Sequence, residues 1–311
     1  MAKVTEGTFK LDDASLYCKT WTPDSGHVKA RLVFVHGFSE HINRYNDFFP
    51  RLTAQGIEVL AWDQRGWGRS VRKPAERGLT GPTSRVLRDV AAFVQDKLDD
   101  GSKAPLFVMG HSMGGGEILM LAADNEYRQL TARVRGWIVE CPLVGFPPGG
   151  EPPRLKVMAG RLLSRLVPRQ QLKHVVPPEH LSRDAAIVES VRNDELCHNT
   201  GTLEGLASLL DRTALLASGQ VQLGQEVRSL LLAHGTADVI CSHDMAVAFV
   251  RQQQSVDDVT VKSYQDAFHQ LHVDHCKDDF TRDLVAWILE RCDSKAAKPD
   301  TINPGAPEAK L

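Results

Sequence analysis

The sequence predicts an α/β fold, a mostly parallel doubly wound sheet interrupted once by an inserted helical cap. Three observations carry that expectation. Six short, nearly unbroken apolar runs recur at 32–35, 59–62, 106–109, 137–139, 230–233 and 259–264, as strands buried on both faces require. Helix-like stretches alternate with them at 45–55, 86–98, 117–123, 245–252 and 280–291. The rhythm then fails between about 145 and 226, where the Pro-rich run PPGGEPP leads into helical pattern without an intervening strand.

Taken in order, the chain opens on an alternating segment, 8–21, folded about Asp12-Asp13 as a β-hairpin. The sheet-and-helix rhythm assigns 1–144 and 227–292 to one core and 145–226 to the cap. Within the cap, 154–167 sets Leu155, Met158, Leu162 and Leu166 at helical spacing beside Arg154, Arg161 and Arg165. Such a helix either packs on the sheet or faces a lipid surface. The polar tail 293–311 has the composition of a disordered segment.

Composition narrows the function. Lys+Arg 37 against Asp+Glu 39 leaves a formal charge of −2 in 311 residues, too little field to hold nucleic acid. Hydrophobic residues at 42% and charged residues at 24% are those of a globular protein. None of the six cysteines forms a C-x-x-C pair, so neither a zinc knuckle nor a redox motif is expected. The polar N-terminus and the lack of a long apolar run predict an intracellular protein with free thiols.

The chemistry centres on Gly110-His111-Ser112-Met113-Gly114, placed between the apolar run LFVM and a helical pattern. That is the strand–turn–helix setting of a nucleophile elbow, in which flanking glycines allow the tight turn that presents the serine hydroxyl. A serine nucleophile needs a base, and the base needs an orienting carboxylate. Asp238 follows one downstream strand and His269 the next, the order such a sheet uses. His272 and His275 share the loop and stand as rival bases, with His269 nearest the strand end. Neither an H-E-x-x-H motif nor carboxylate spacing accompanies H-x-x-H-x-x-H, so no metal and no cofactor are expected. The backbone N–H groups of Phe38 and Met113 are placed to receive a developing oxyanion.

These residues bring out a resemblance. The blocks HGFSEH at 36–41 with Arg44-Tyr45, DQRGWGRS at 63–70, GHSMGG at 110–115, GTAD at 235–238 and YQDAFH at 264–269 resemble the monoacylglycerol lipase family of serine α/β-hydrolases. Likeness runs from about 8 to 291 and weakens through the cap. It implies Ser112, Asp238 and His269 as the triad, in agreement with the reading from the residues. It further implies that Glu40, Arg44 and His111 hold the glycerol end of the substrate, although i,i+4 spacing also suits a Glu40–Arg44 salt bridge. Where mammalian relatives carry a tyrosine near the glycerol this chain has Val191, which puts head-group preference in question. Cys241 matches a family cysteine near the site and also suits an inert buried position. Leucines between Leu203 and Leu216 suit an acyl tunnel.

The expected activity is hydrolysis of a monoacylglycerol or similar lipid ester through an acyl-enzyme, at a peripheral membrane or lipid-droplet surface met through the cap. Lysophospholipase or general carboxylesterase activity would use the same residues, and an inactive binding protein of the same fold would have lost one of them. A homodimer is compatible with the sequence. The expected location is cytoplasmic, with Ala309-Lys310-Leu311 resembling a peroxisomal address.

Overall fold

An eight-stranded sheet runs through residues 2–293, the part of the chain that the computed structural model describes. The tripeptide 309–311 lies outside the described residues. The strands are β1 (Lys3–Leu11), β2 (Ala14–Thr22), β3 (Ala30–Val35), β4 (Ile57–Trp62), β5 (Leu106–His111), β6 (Gly136–Glu140), β7 (Gln171–Lys173), β8 (Thr200–Thr202), β9 (Ser229–Gly235) and β10 (Asp258–Tyr264). The sheet order is β1-β2-β4-β3-β5-β6-β9-β10. β1 and β2 form the expected hairpin, longer than its alternation suggests, with Asp12-Asp13 in the turn. β2 meets β4 antiparallel, and every pairing from β4 onward is parallel.

The helices are α1 (Phe49–Thr53), α2 (Thr83–Leu98), α3 (Met113–Ala123), α4 (Arg128–Thr131), α5 (Arg154–Leu166), α6 (Ala185–Arg192), α7 (Leu203–Ala217), α8 (His243–Arg251) and α9 (Lys277–Asp293). Every residue of β3, β5, β6 and β9 is buried, because helices cover both faces. Period-2 alternation divides their side chains between two cores. Val33, Val35 and Val108 pack with Val90, Val94, Ile118 and Leu121 on one face. Leu32, Phe34 and Met109 pack with Phe49, Phe280, Leu284 and Ile288 on the other.

Two expectations change. The stretch 45–55 is not one helix: a 3-10 turn at Ile42–Tyr45 precedes α1, which begins at Phe49 with Pro50 in its first turn. Proline lacks the N–H that a helix interior needs and is tolerated where that donor has no partner anyway. The cap is also not wholly helical, because β7 and β8 pair antiparallel as a separate two-stranded sheet. Between β6 and β9 the chain otherwise contributes α5, α6 and α7, with α7 packed on α2 and α3 and α5 packed on α7. Among the described residues no helix is long and apolar enough to cross a membrane.

Candidate active site

The carboxyl ends of β3, β5, β9 and β10 converge at one edge of the sheet, where open parallel sheets place their sites. Ser112 links β5 to α3 with φ 53° and ψ −117°, a conformation that ordinary side chains rarely adopt. The turn closes because its glycines carry no Cβ. One added at Gly114 would lie 2.3 Å from the Val35 carbonyl oxygen, and one at Gly110 would lie 2.4 Å from that of Gly114.

Asp238, in the loop after β9, and His269, in the loop after β10, meet at 2.7 Å between Oδ2 and Nδ1. Both are buried. Burial alone would push the Asp238 carboxyl up. The neighbouring His269, with hydrogen bonds from His234 and His269, instead holds it far below the ordinary carboxylate range. An ionised Asp238 accepts, so Nδ1 of His269 carries the proton and Nε2 is left as the basic nitrogen. Oδ1 of Asp238 accepts the backbone N–H groups of Ile240 at 2.8 Å and Cys241 at 3.0 Å.

The rival histidines face elsewhere. Nδ1 of His272 lies 2.8 Å from Glu140 Oε1, and Nε2 of His275 lies 3.3 Å from the Gln265 carbonyl in an exposed position. The donor atoms of His111, Glu140 and His272 approach one another within 4.8 Å, as do those of Cys141, Asp238 and His269. In each group a carboxylate already hydrogen-bonds an imidazole, which accounts for the clustering.

The loop after β3 is fixed on its buried side. His36 Nε2 accepts the Gln64 N–H at 2.9 Å, so Nδ1 must be the protonated nitrogen, and it donates to the Gly37 carbonyl at 2.8 Å. Burial lowers the His36 pKa to about 4, consistent with a neutral ring. Gly37 N–H is held by Glu40 Oε2 at 2.8 Å. Beyond this anchor, neither the Phe38 nor the Met113 N–H is spent on a protein acceptor among the described residues. Phe38 and Met113 both line the cavity over Ser112.

Glu40 occupies both its oxygens. Oε2 also accepts from Tyr45 Oη at 2.6 Å, and Oε1 accepts from Gln270 Nε2 at 2.5 Å. The spacing-based Glu40–Arg44 salt bridge does not form, since Arg44 turns to Ser190 at 2.8 Å and Asp194 at 3.5 Å on the cap. Burial raises the Glu40 pKa, but His111 and the Tyr45 hydrogen bond outweigh it and leave it at about 2. His111 is fully buried, with Nε2 3.6 Å from Glu40 and Nδ1 3.5 Å from Glu140. Burial lowers its pKa, and the two carboxylates more than reverse this, to about 9.

The three residues expected at the glycerol end are placed differently. Glu40 and Arg44 line the cavity, whereas His111 does not; it is fully buried beside Glu40 and His269, which do. Three further residues bear on the site to which the sequence assigned no role, although Tyr45 lies in a block that carries the resemblance. His234 lies 3.1 Å from Asp238 and 3.2 Å from the Cys241 carbonyl, and Glu140 and Tyr45 hold the network beneath the elbow. His234 is the penultimate residue of β9, four residues before Asp238.

Above Ser112 and His269 opens a cavity of about 560 Å³. Leu143, Phe146, Leu206, Leu209, Leu210 and Ile240 form much of its wall. Leu206, Leu209 and Leu210 are the leucines expected there, while Leu203 and Leu216 are buried outside it. Val191 and Cys241 also face it. The Cys241 thiol is buried and pushed well above its usual pKa by desolvation.

The family described as serine aminopeptidase, S33, matches residues 26–275. A putative monoglyceride lipase of Schizosaccharomyces pombe is 33% identical over 89% of this chain and 72% of its own length. The monoglyceride lipase of Mus musculus is 29% identical over 90% of this chain and 88% of its own. The solved structure of a soluble variant of monoglyceride lipase from Saccharomyces cerevisiae, in complex with a substrate analog, superposes with a TM-score of 0.82. It is 22% identical and covers 92% of this chain and 94% of that one, a likeness of fold.

Proposed function

Since the chain belongs to the serine aminopeptidase S33 family, and within it to the monoglyceride lipases, we propose that it cleaves monoacylglycerols to fatty acid and glycerol. It is a carboxylic ester hydrolase of the α/β-hydrolase fold. The observation that best supports this substrate is an apolar cavity of about 560 Å³ opening directly on Ser112 and His269.

In the proposed mechanism His269 Nε2 takes the Ser112 proton as Oγ attacks the ester carbonyl. Ionised Asp238 keeps the proton on Nδ1 and stabilises the imidazolium that forms. The N–H groups of Phe38 and Met113 receive the oxyanion; the loop of Phe38 is fixed from beneath by His36, Gln64 and Glu40, and Met113 opens α3 directly after Ser112. His269 returns the proton to the departing glycerol oxygen. Water enters and attacks the acyl carbon as His269 accepts its proton; the Ser112 Oγ–acyl bond breaks, His269 returns the proton to Oγ, and the fatty acid leaves. Leu206, Leu209 and Leu210 take up the acyl chain, Arg44 and Glu40 border the glycerol end, and the cap meets the lipid surface that supplies the ester.

Side-by-side hydrolysis of monooleoylglycerol, lysophosphatidylcholine and p-nitrophenyl butyrate tests the reading. The highest kcat/KM is expected on monooleoylglycerol, and a preference for lysophosphatidylcholine or for the short ester overturns it.

A further inference from the structure

Where the cap meets the loop after β3, the fold brings together a histidine, a carboxylate and a thiol that the proposed reaction does not use. His41 lies in that loop, and Asp194 and Cys197 follow α6 in the cap. One ligand atom from each of the three lies within 4.8 Å of the other two. His41 and Asp194 stand 153 positions apart, so no motif in the chain announces the group. The place is sheltered, with His41 4% exposed and Asp194 and Cys197 half-buried.

His41 is not locked as a structural histidine is. His36, in the same loop, is bonded at both nitrogens, to the Gly37 carbonyl and the Gln64 N–H. Among the described residues His41 makes a single side-chain hydrogen bond, between Nε2 and Asp194 Oδ2 at 2.9 Å, and its buried Nδ1 has none. A buried ring nitrogen without a partner is uncommon and calls for an account. Local charge favours a cation. Asp194, Glu40 and Asp63 are the carboxylates that bear most on Cys197, against the guanidinium of Arg44. Arg44 lies 3.5 Å from Asp194 but 2.8 Å from the Ser190 hydroxyl, so it keeps a partner when a cation takes the carboxylate.

The donor set selects the metal. Calcium and magnesium take oxygen ligands, whereas one nitrogen, one oxygen and one sulfur suit zinc. Tetrahedral zinc sets its donors roughly 3.3–3.8 Å apart, so side-chain shifts of about 1 Å complete the site. Cys197 and Arg44 line the cavity over Ser112, which leaves a fourth position open to water.

We propose that His41, Asp194 and Cys197 form a zinc site at the seam between cap and core, and that zinc bound there inhibits hydrolysis. Coordination releases the Cys197 thiol proton to solvent. Bound zinc ties the cap to the loop that carries Phe38 and draws Asp194 away from Arg44, which borders the glycerol end. The inhibition rests on the reading of the protein as a monoacylglycerol hydrolase. The zinc site itself does not, and the ion takes no part in the hydrolysis.

The test is equilibrium dialysis of the full chain against zinc chloride, with thermal melting and monooleoylglycerol hydrolysis followed over the same titration. One zinc per chain is expected, with a melting temperature that rises with zinc concentration and no response to magnesium. Hydrolysis should fall by about tenfold or more at saturation and return on adding EDTA. Cys197→Ser and His41→Gln should each weaken zinc binding by about 100-fold or more, and each should hydrolyse at its own rate in zinc that inhibits the wild type. Circular dichroism shows that a variant is folded, and either one suffices. Cys141→Ser, which removes a thiol beside Asp238 and His269, should bind zinc as the wild type does.

No zinc bound, or binding that survives Cys197→Ser and His41→Gln, overturns the site. So does binding lost in Cys141→Ser instead, which places the ion at Asp238 and His269. Saturation with zinc at an unchanged rate of hydrolysis overturns the inhibition. Zinc held through Cys197 and His41 by a protein that cleaves no ester leaves the site standing and removes the hydrolase reading.

Discussion

Asp238 and His269 meet at 2.7 Å through Oδ2 and Nδ1, while the other Asp238 oxygen is tied to the backbone of its own loop at Ile240 and Cys241. The carboxylate is thus fixed to β9 at one end and orients the imidazole after β10 at the other. Replacing Asp238 by Asn keeps the shape and reverses the preferred tautomer. Asp238→Asn should lower kcat by about 10⁴ at unchanged fold, measured on a soluble ester with circular dichroism as the control. Retention of more than a tenth of wild-type kcat would contradict the assignment.

The elbow depends on the absence of a methyl group. In Gly114→Ala the new Cβ would meet the Val35 carbonyl oxygen at 2.3 Å and that of His36 at 2.7 Å, both backbone atoms of the strand and loop beneath Phe38. A destabilisation of about 1–3 kcal/mol is expected in urea unfolding, together with a drop in kcat. An unchanged midpoint would show that the turn has slack.

His111 makes an alkaline signature. Its folded pKa is raised from 6.5 to about 9, chiefly by Glu40 and then Glu140 acting against burial. Its contribution is therefore fully present below pH 6.5 and disappears as the pH rises through 9. The gap in melting temperature between wild type and His111→Gln should narrow across that window. A constant gap would mean that His111 does not titrate there.

Glu117 has the opposite character. It sits on α3, buried, with its charge opposed by desolvation and favoured by Arg212 of α7 at 3.3 Å and by Gln64, while Asp89 repels it. The balance raises its pKa from 4.5 to about 7. The folded state then binds more protons than the unfolded state between those values, so this group's stabilising contribution falls as the pH rises from 4.5 to 7. Relative to Glu117→Gln, the wild type should lose melting temperature over that range and hold steady above it. A parallel pair of curves would refute the shift.

What the sequence disclosed follows from how local each signal is. The strands 32–35 and 106–109 announce themselves because both faces are buried and the residues read as continuous apolar runs. Ser112 is visible because its glycines and the strand before it are neighbours in the chain. Asp238 and His269 were legible only through chain order, and the 2.7 Å contact between them joins residues 31 positions apart. Glu140 gave no signal, and neither the family block that contains Tyr45 nor the place of His234 before Asp238 assigned those two a role, since the importance of all three comes from what the fold brings beneath the elbow. The strands Gln171–Lys173 and Thr200–Thr202 are too short for an alternation to show. Glu40 and Arg44 have the spacing of a salt bridge, but a 3-10 turn and the pull of Asp194 separate them.

The most direct test of the central claim is labelling with a fluorophosphonate probe, followed by peptide mapping and paired with monooleoylglycerol hydrolysis by Ser112→Ala. One adduct on Ser112 is predicted, with labelling lost and hydrolysis reduced by several orders of magnitude in the variant. Labelling at another residue, or hydrolysis by Ser112→Ala near the wild-type rate, would contradict the account.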